Sequence, residues 1–540
     1  MPNRLLNPLR ATAPRSSRLS LRPGARGLVA AGLLTATLGL SAVPAQAANP
    51  PATSSVAWLE ASAQADIDRA FAQGKGENKP VLVYWGAKWC PPCNQLKATL
   101  FNRQDFIERS RSFVAVHIDG DAPGAQKLGA HFKVRGYPTL ILFSPQGQEI
   151  TRLPGEAEPT QVMNLLQQGL AGGRPIKAVL ADARSGKAVS ANEWRTLAFY
   201  SWDTDEAQLV PAAERAALLG RLAAACPAAE ADSATRLLLK ALAATEPGQP
   251  VPGGAATEPR VRQLLADAAA SRRQMDVLVN YAPDIVRALA PKAGPAQAAL
   301  VRVTDAALAR LQGDATLSRG DQFSALAARV DLARLDQPED SLHPKLPKPL
   351  TEEVKATAAR MDREITDGFE RQAVITGAAH TLASAGLWQD SNALLESNLA
   401  KSHSPYYLMS QLGGNARRLG DKAGALRWYG QAWDKSVGPA TRLQWGANYV
   451  SALVELAPQD EGSIEKAAGK VLGEATAQEG AFYERSARSL QKVGSQLAKW
   501  SQQGHHQAVI GRLQAQLAPV CAKLPAADGQ KATCDGLFKG

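Results

Sequence analysis

Two cysteines separated by two prolines are the residues of this 540-residue chain best suited to chemistry. The run WCPPC at 89–93 follows the apolar segment 80–87 and precedes a stretch with apolar residues at helical spacing, which predicts a strand and then a helix. A helix N-terminus favours a thiolate and predicts that the pKa of Cys90 lies below its ordinary value of about 8.5. We therefore expect catalysis by Cys90 as the attacking sulfur and Cys93 as the resolving sulfur.

Two other uses of such a cysteine pair are half of a zinc site and a structural bridge. Zinc requires a second pair of ligands, and no further Cys or His cluster stands near 89–93 in the sequence. The pattern favours a redox pair, with no metal ion and no cofactor.

A second motif follows at 134–139, where VRGYPT precedes the apolar segment LILF and a turn at 144–147. A proline directly before a buried strand removes a hydrogen-bond donor from the sheet, so Pro138 calls for a special turn. A cis peptide bond between Tyr137 and Pro138 would provide one.

The motifs occur in the order strand, WCxxC, helix, strand ending in Asp119, helix, proline segment, strand, turn, strand and helix. In this order the chain resembles the thioredoxin family over about residues 55–171. The resemblance implies an α/β domain, which we place at 48–171. It also implies that Pro138 faces the cysteine pair and that the backbone of Tyr137 pairs with an extended substrate; Trp89 completes the expected substrate-binding residues.

Within the family, segment 77–93 is most similar to periplasmic thiol:disulfide interchange domains. Cytoplasmic thioredoxins carry a buried Asp where this chain has Tyr84. Either the Tyr84 hydroxyl or water replaces that acid, or Tyr84 is an ordinary core aromatic with a polar tip. The motif leaves the direction of electron flow open.

The N-terminal segment 1–47 has the composition of a signal peptide. It contains six arginines and no acidic residue, then an apolar run at 27–43 and the sequence AQA, which predicts cleavage near Ala47. An uncleaved membrane anchor is the alternative. Removing six of the 61 basic residues, against 50 acidic ones, lowers the formal charge from +11 to +5. We therefore predict a periplasmic protein with no nucleic-acid partner.

The remainder of the chain changes to an Ala- and Leu-rich composition with helical spacing. We predict an α-helical region at 172–363 and a tetratricopeptide-like (α-solenoid) domain at 364–540. Glycines and prolines there recur about 34 residues apart, with small and aromatic residues at the positions expected for paired helices: Gly386, Gly420, Pro405, Pro439, Ala425, Tyr429 and Ala432.

Three cysteines lie outside the motif. In an exported chain, Cys521 and Cys534 are expected to form a structural disulfide, while Cys226 is either a buried free thiol or an intermolecular bridge. The pair His505-His506 is expected in a solvent-facing loop. Segment 438–446 either contacts a partner or is a tight helix start with a core Trp.

Together these features predict an exported thiol–disulfide oxidoreductase of the protein disulfide reductase or isomerase type. Its partners would be cysteine-containing protein clients, bound by the helical domain, and a membrane redox protein is a candidate for regenerating the dithiol. The alternative is a helical adaptor or scaffold whose thioredoxin-like domain serves as a docking module with little redox turnover. The retained CxxC argues against it, because docking does not require two thiols.

Overall fold

The computed structural model describes residues 55–539 except 154, 156, 157, 206, 207 and 247. The expected signal peptide and its cleavage near Ala47 lie outside the described residues. Within them, an α/β thioredoxin-like domain precedes a large helical region, which confirms the predicted fold class. No helix in these ranges combines the length and the apolar character needed to cross a membrane.

A five-stranded mixed sheet forms the centre of the first domain, in the order β1-β3-β2-β4-β5. β1 and β2 run parallel to β3, whereas β4 is antiparallel to β2 and to β5. The strands are β1 Leu59–Glu60, β2 Val81–Gly86, β3 Val114–Asp119, β4 Thr139–Phe143 and β5 Glu149–Leu153.

The central strand β2 is buried along its whole length, because helices cover both faces of the sheet. Leu82 and Tyr84 point into one core, and Val83 and Trp85 into the other, as strand alternation requires. The helices of this domain are α1 Gln64–Glu77, α2 Pro91–Leu96, which continues as a π-helical turn over Lys97–Phe101, α3 Gln104–Arg109, α4 Ala125–His131 and α5 Pro159–Leu170.

After α5 the described chain is helical. The first group comprises α6 Ile176–Arg184, α7 Ala191–Phe199, α8 Arg215–Ala225, α9 Ala231–Ala243, α10 Thr257–Ala266, α11 Ala268–Arg273, α12 Met275–Leu289, α13 Pro295–Gly313, α14 Arg319–Ala333 and α15 Lys348–Glu364. The second group comprises α16 Gly368–Ser384, α17 Trp388–Asn398, α18 Pro405–Arg418, α19 Lys422–Lys435, α20 Pro439–Leu456, α21 Glu461–Thr476, α22 Glu484–Gly504, α23 Gln507–Lys523 and α24 Gln530–Gly536.

The recurring glycines and prolines occupy equivalent places in the helix pairs. Gly386 and Gly420 follow α16 and α18 with φ of 77° and 80°, a backbone conformation that favours glycine after a helix. Pro405 and Pro439 are the first residues of α18 and α20, where the missing amide costs no helical hydrogen bond. The spacing marks helix boundaries, and the tetratricopeptide assignment itself stays a prediction.

The predicted disulfide is confirmed: Cys521 of α23 and Cys534 of α24 are bonded, with their Cα atoms 5.5 Å apart. Cys226 follows α8 as a buried free thiol, and burial raises its pKa to about 11. Of the histidine pair, His505 is exposed, but His506 stacks on Trp500 with ring centroids 3.9 Å apart. The expectation of two solvent-facing rings was therefore wrong for His506.

Candidate active site

Cys90 lies at the N-terminus of α2 and Cys93 one turn further along it. Cys90 is the N-cap residue, and its Sγ accepts the backbone N–H of Cys93 at 3.3 Å. Because Pro91 and Pro92 have no amide hydrogen, the Cys93 amide is the first that α2 offers to the sulfur. Because of the two prolines, the first N–H group of α2 is donated to one acceptor, the Cys90 sulfur.

Both sulfurs are enclosed. Cys90 is 2% exposed and Cys93 is 0% exposed. Burial raises the pKa of Cys90 well above its ordinary value, and the neighbouring Cys93 acts in the same direction, while the Cys93 amide and Arg485 oppose it. The expected lowering at Cys90 was therefore wrong for this arrangement, because loss of water outweighs the helix end.

The proline motif lies beside the dithiol, and the peptide bond between Tyr137 and Pro138 is cis, as predicted. The Tyr137 ring sits between Trp85 and Trp89, with centroid distances of 5.5 Å and 5.7 Å. Thr139 closes the turn by donating its hydroxyl to the Gly136 carbonyl at 3.0 Å. The structure thus brings Trp89 and Tyr137 together next to Cys90.

Tyr84 belongs to the core beneath the cysteines. Its ring stacks on His117 and meets Phe101 edge-on, with centroids 4.9 Å and 4.8 Å away. Burial raises its pKa well above 10, and the neighbouring Cys93 and Cys90 raise it further. Burial also raises the pKa of Asp119 at the end of β3. Tyr84 therefore packs as a core aromatic and also lies within the electrostatic reach of the dithiol.

Helices of the second group pack against the WCPPC segment and bury it. Tyr407 of α18 lies nearly parallel to the Trp89 indole, with centroids 5.8 Å apart and 18° between the planes. Gln372 of α16 donates from Nε2 to the Trp89 carbonyl at 3.0 Å. Trp89, Cys90 and Cys93 consequently share one hydrophobic core with helices of the second group.

Asp121, in the loop after β3, is the polar centre of this contact. Its carboxylate accepts the Trp89 indole N–H at 2.7 Å, and the backbone N–H and hydroxyl of Thr441 at 2.8 and 2.6 Å. The guanidinium of Arg485 forms an ion pair with the same carboxylate. Arg485 also lies over the rings of Trp89 and Tyr137, 5.0 and 5.2 Å from their centroids.

Sequence reasoning missed Gln372, Tyr407 and Arg485, because no local pattern marks a residue that contacts a distant segment. A partial signal existed at 438–446, which was expected either to contact a partner or to start a helix around a core Trp. The second alternative is confirmed, because α20 starts at Pro439 and Trp445 is buried. Thr441 of this segment contacts Asp121 of the same chain, and contact with a partner stays a prediction.

Comparison with known proteins identifies the domain that carries this site. Residues 67–170 match the family model of the thioredoxin-like domain. A thioredoxin-like protein of Synechocystis sp. is 34% identical over 92 residues, which are 17% of this chain and 83% of that protein. The chain belongs to the thioredoxin-like family.

Two further relatives are thiol:disulfide interchange proteins. The protein DsbD 2 of Pseudomonas aeruginosa is 30% identical over 115 residues, 21% of this chain and 20% of the relative. DsbD of Klebsiella pneumoniae is 34% identical over 96 residues, 17% of this chain and 16% of the relative. The chain thus spans about a fifth or less of these two relatives, and the similarity concerns the thioredoxin-like domain.

Proposed function

We propose that the protein is an exported, periplasmic thiol–disulfide oxidoreductase that acts on cysteine-containing proteins. The observation that carries the proposal is the geometry of the cysteine pair: Cys90 Sγ at the start of α2 accepts the Cys93 amide, beside Trp89 and the cis-proline turn. A hydrogen bond from an amide stabilises the thiolate more than the thiol.

In the reductive direction, the Cys90 thiolate attacks one sulfur of a client disulfide. A Cys90–client disulfide forms, and the second client sulfur leaves as a thiolate. Cys93 then attacks Cys90 Sγ, which closes the Cys90–Cys93 disulfide and releases the first client sulfur; two electrons have passed to the client. Oxidation of a client dithiol is the same sequence in reverse.

The proton released by Cys93 needs an acceptor in a buried site. Tyr84 interacts with Cys93, Asp119 lies within electrostatic reach of Tyr84, and burial raises the pKa values of both groups. We assign proton uptake to Asp119, directly or through water, because a carboxylate can accept a proton that a neutral phenol cannot. A membrane redox protein that restores the Cys90–Cys93 couple completes the proposal.

Reduction of insulin with dithiothreitol as electron source tests the chemistry. The wild type should accelerate insulin precipitation, C90S and C93S should abolish the acceleration, and C226A should leave it unchanged. Catalysis that persists in C90S would overturn the proposal. Client binding without Cys90-dependent turnover would favour the adaptor alternative, which draws its support from the buried dithiol.

A further inference from the structure

The proposed function requires a client to bind at the surface beside Cys90. Helices of the same chain occupy that surface. Thiol–disulfide exchange requires a client sulfur to touch the attacking sulfur, so its rate depends on access. Cys90 is 2% exposed and its neighbour Trp89 is 7% exposed. In this arrangement, no protein disulfide has a path to Cys90.

Four residues that close the site come from the second helical group. Gln372, Tyr407, Thr441 and Arg485 belong to α16, α18, α20 and α22. They contact the WCPPC segment and the Asp121 loop through hydrogen bonds, one ring stack and one ion pair. These contacts are noncovalent, so opening requires no bond of the chain to break.

The ion pair at the centre of this contact suits a surface that opens and closes. The side chains of Asp121 and Arg485 are 9% and 10% exposed. Losing one partner leaves a buried charge unpaired, which strongly disfavours the closed state. When the two surfaces separate, both charges regain water, so opening itself creates no such penalty.

We propose that α16–α22 form a removable cover over the Cys90–Cys93 dithiol, held closed by the ion pair between Asp121 and Arg485. Opening of the cover admits the client; closure shields the thiols. This inference rests on the proposed function for its biological meaning, whereas the closed and open states can be measured without any turnover.

Alkylation of Cys90 by iodoacetamide, followed residue by residue with mass spectrometry, measures opening. In a C226A background, R485Q leaves Asp121 without its charged partner and should raise the alkylation rate by about tenfold or more. R485K keeps the charge and should stay within about threefold of its parent. R488Q is the matched control: Arg488 lies on the same helix and pairs with Glu484 at 2.7 Å, and its rate should equal the parent's.

T441V, which removes one hydroxyl contact to Asp121, keeps the test decisive if R485Q does not fold. Its rate should rise about threefold to tenfold. Rates within twofold of the parent in folded R485Q and in T441V would overturn the proposal, as would a parent rate equal to that of the unfolded chain. Faster alkylation without insulin reduction in any variant would leave the cover standing and refute the proposed function. Insulin reduction with alkylation rates equal to the parent's would support the proposed function and overturn the cover.

Discussion

The ring of Tyr407 lies 5.8 Å from that of Trp89 and nearly parallel to it, although the two residues belong to different parts of the fold. Trp89 precedes Cys90, the proposed attacking cysteine, so this stack places the helical region directly over the N-terminus of α2. The stack is an apolar contact that joins the same two parts of the fold as the ion pair between Asp121 and Arg485.

Tyr407→Leu should weaken the cover, because an aromatic pair contributes about 0.5 to 1.5 kcal/mol beyond its buried area. We expect hydrogen exchange in the segment 87–96 to accelerate by about twofold to tenfold. The matched control is Tyr449→Leu, which removes a ring that packs on Trp433, with a centroid distance of 6.0 Å. Equal exchange in the two variants would contradict a specific role of Tyr407.

The alkylation of Cys90 should depend on pH in a way that reports its burial. The raised pKa leaves only a small thiolate fraction near neutrality, so the rate should climb about tenfold per pH unit and show no plateau below pH 9. R485Q removes a guanidinium that lowers the pKa of Cys90, but it also exposes the sulfur. Because burial is the larger effect, the R485Q profile should level off at lower pH than the parent's. A plateau below pH 9 in the parent would contradict this expectation.

Cys93→Ser should trap the client. Cys90 can still attack, but the resolving sulfur is absent, so a mixed disulfide between Cys90 and the client accumulates. Non-reducing electrophoresis should show this species for C93S, none for the double variant C90S/C93S, and more when R485Q is added to C93S. Equal trapping with and without R485Q would show that the cover does not limit client access.

An opened site should prefer basic clients. Once Arg485 has withdrawn, the Asp121 carboxylate is free to pair with a cationic side chain beside the client's cysteine. For R485Q, kcat/KM should be about fivefold higher for a disulfide peptide flanked by Arg than for one flanked by Glu. D121N combined with R485Q should abolish the preference; a preference that survives would assign it to another residue.

Removing the disulfide should loosen the C-terminal tail. Cys521 and Cys534 are 13 positions apart, and closing a loop of this size contributes about 3 kcal/mol in the chain-entropy model. In C521A/C534A, hydrogen exchange in α24 should accelerate strongly, while exchange in β2 stays unchanged. C226A, which removes a free thiol, should alter neither segment.

Local patterns predicted the thioredoxin-like domain and the place of its cysteine pair at a helix start. The strand before WCPPC, the helix after it and the cis bond at Pro138 follow from residues close together in sequence, whose conformations depend mainly on their own types. The Cys521–Cys534 bond was predictable because only two cysteines stand close together near that end of the chain.

The sequence by itself thus determined that Cys90 and Cys93 form a pair at a helix start, and that helices follow the α/β domain. Only the tertiary structure decided how deeply the pair is buried and in which direction the pKa of Cys90 shifts. Arg485 reaches Asp121 across 364 positions, and Gln372 reaches Trp89 across 283. The helices that make these contacts bury Cys90, and this burial raises its pKa, whereas the helix end alone predicted the reverse. The physical reason is that desolvation depends on everything packed around a sulfur, and no segment of sequence contains that information.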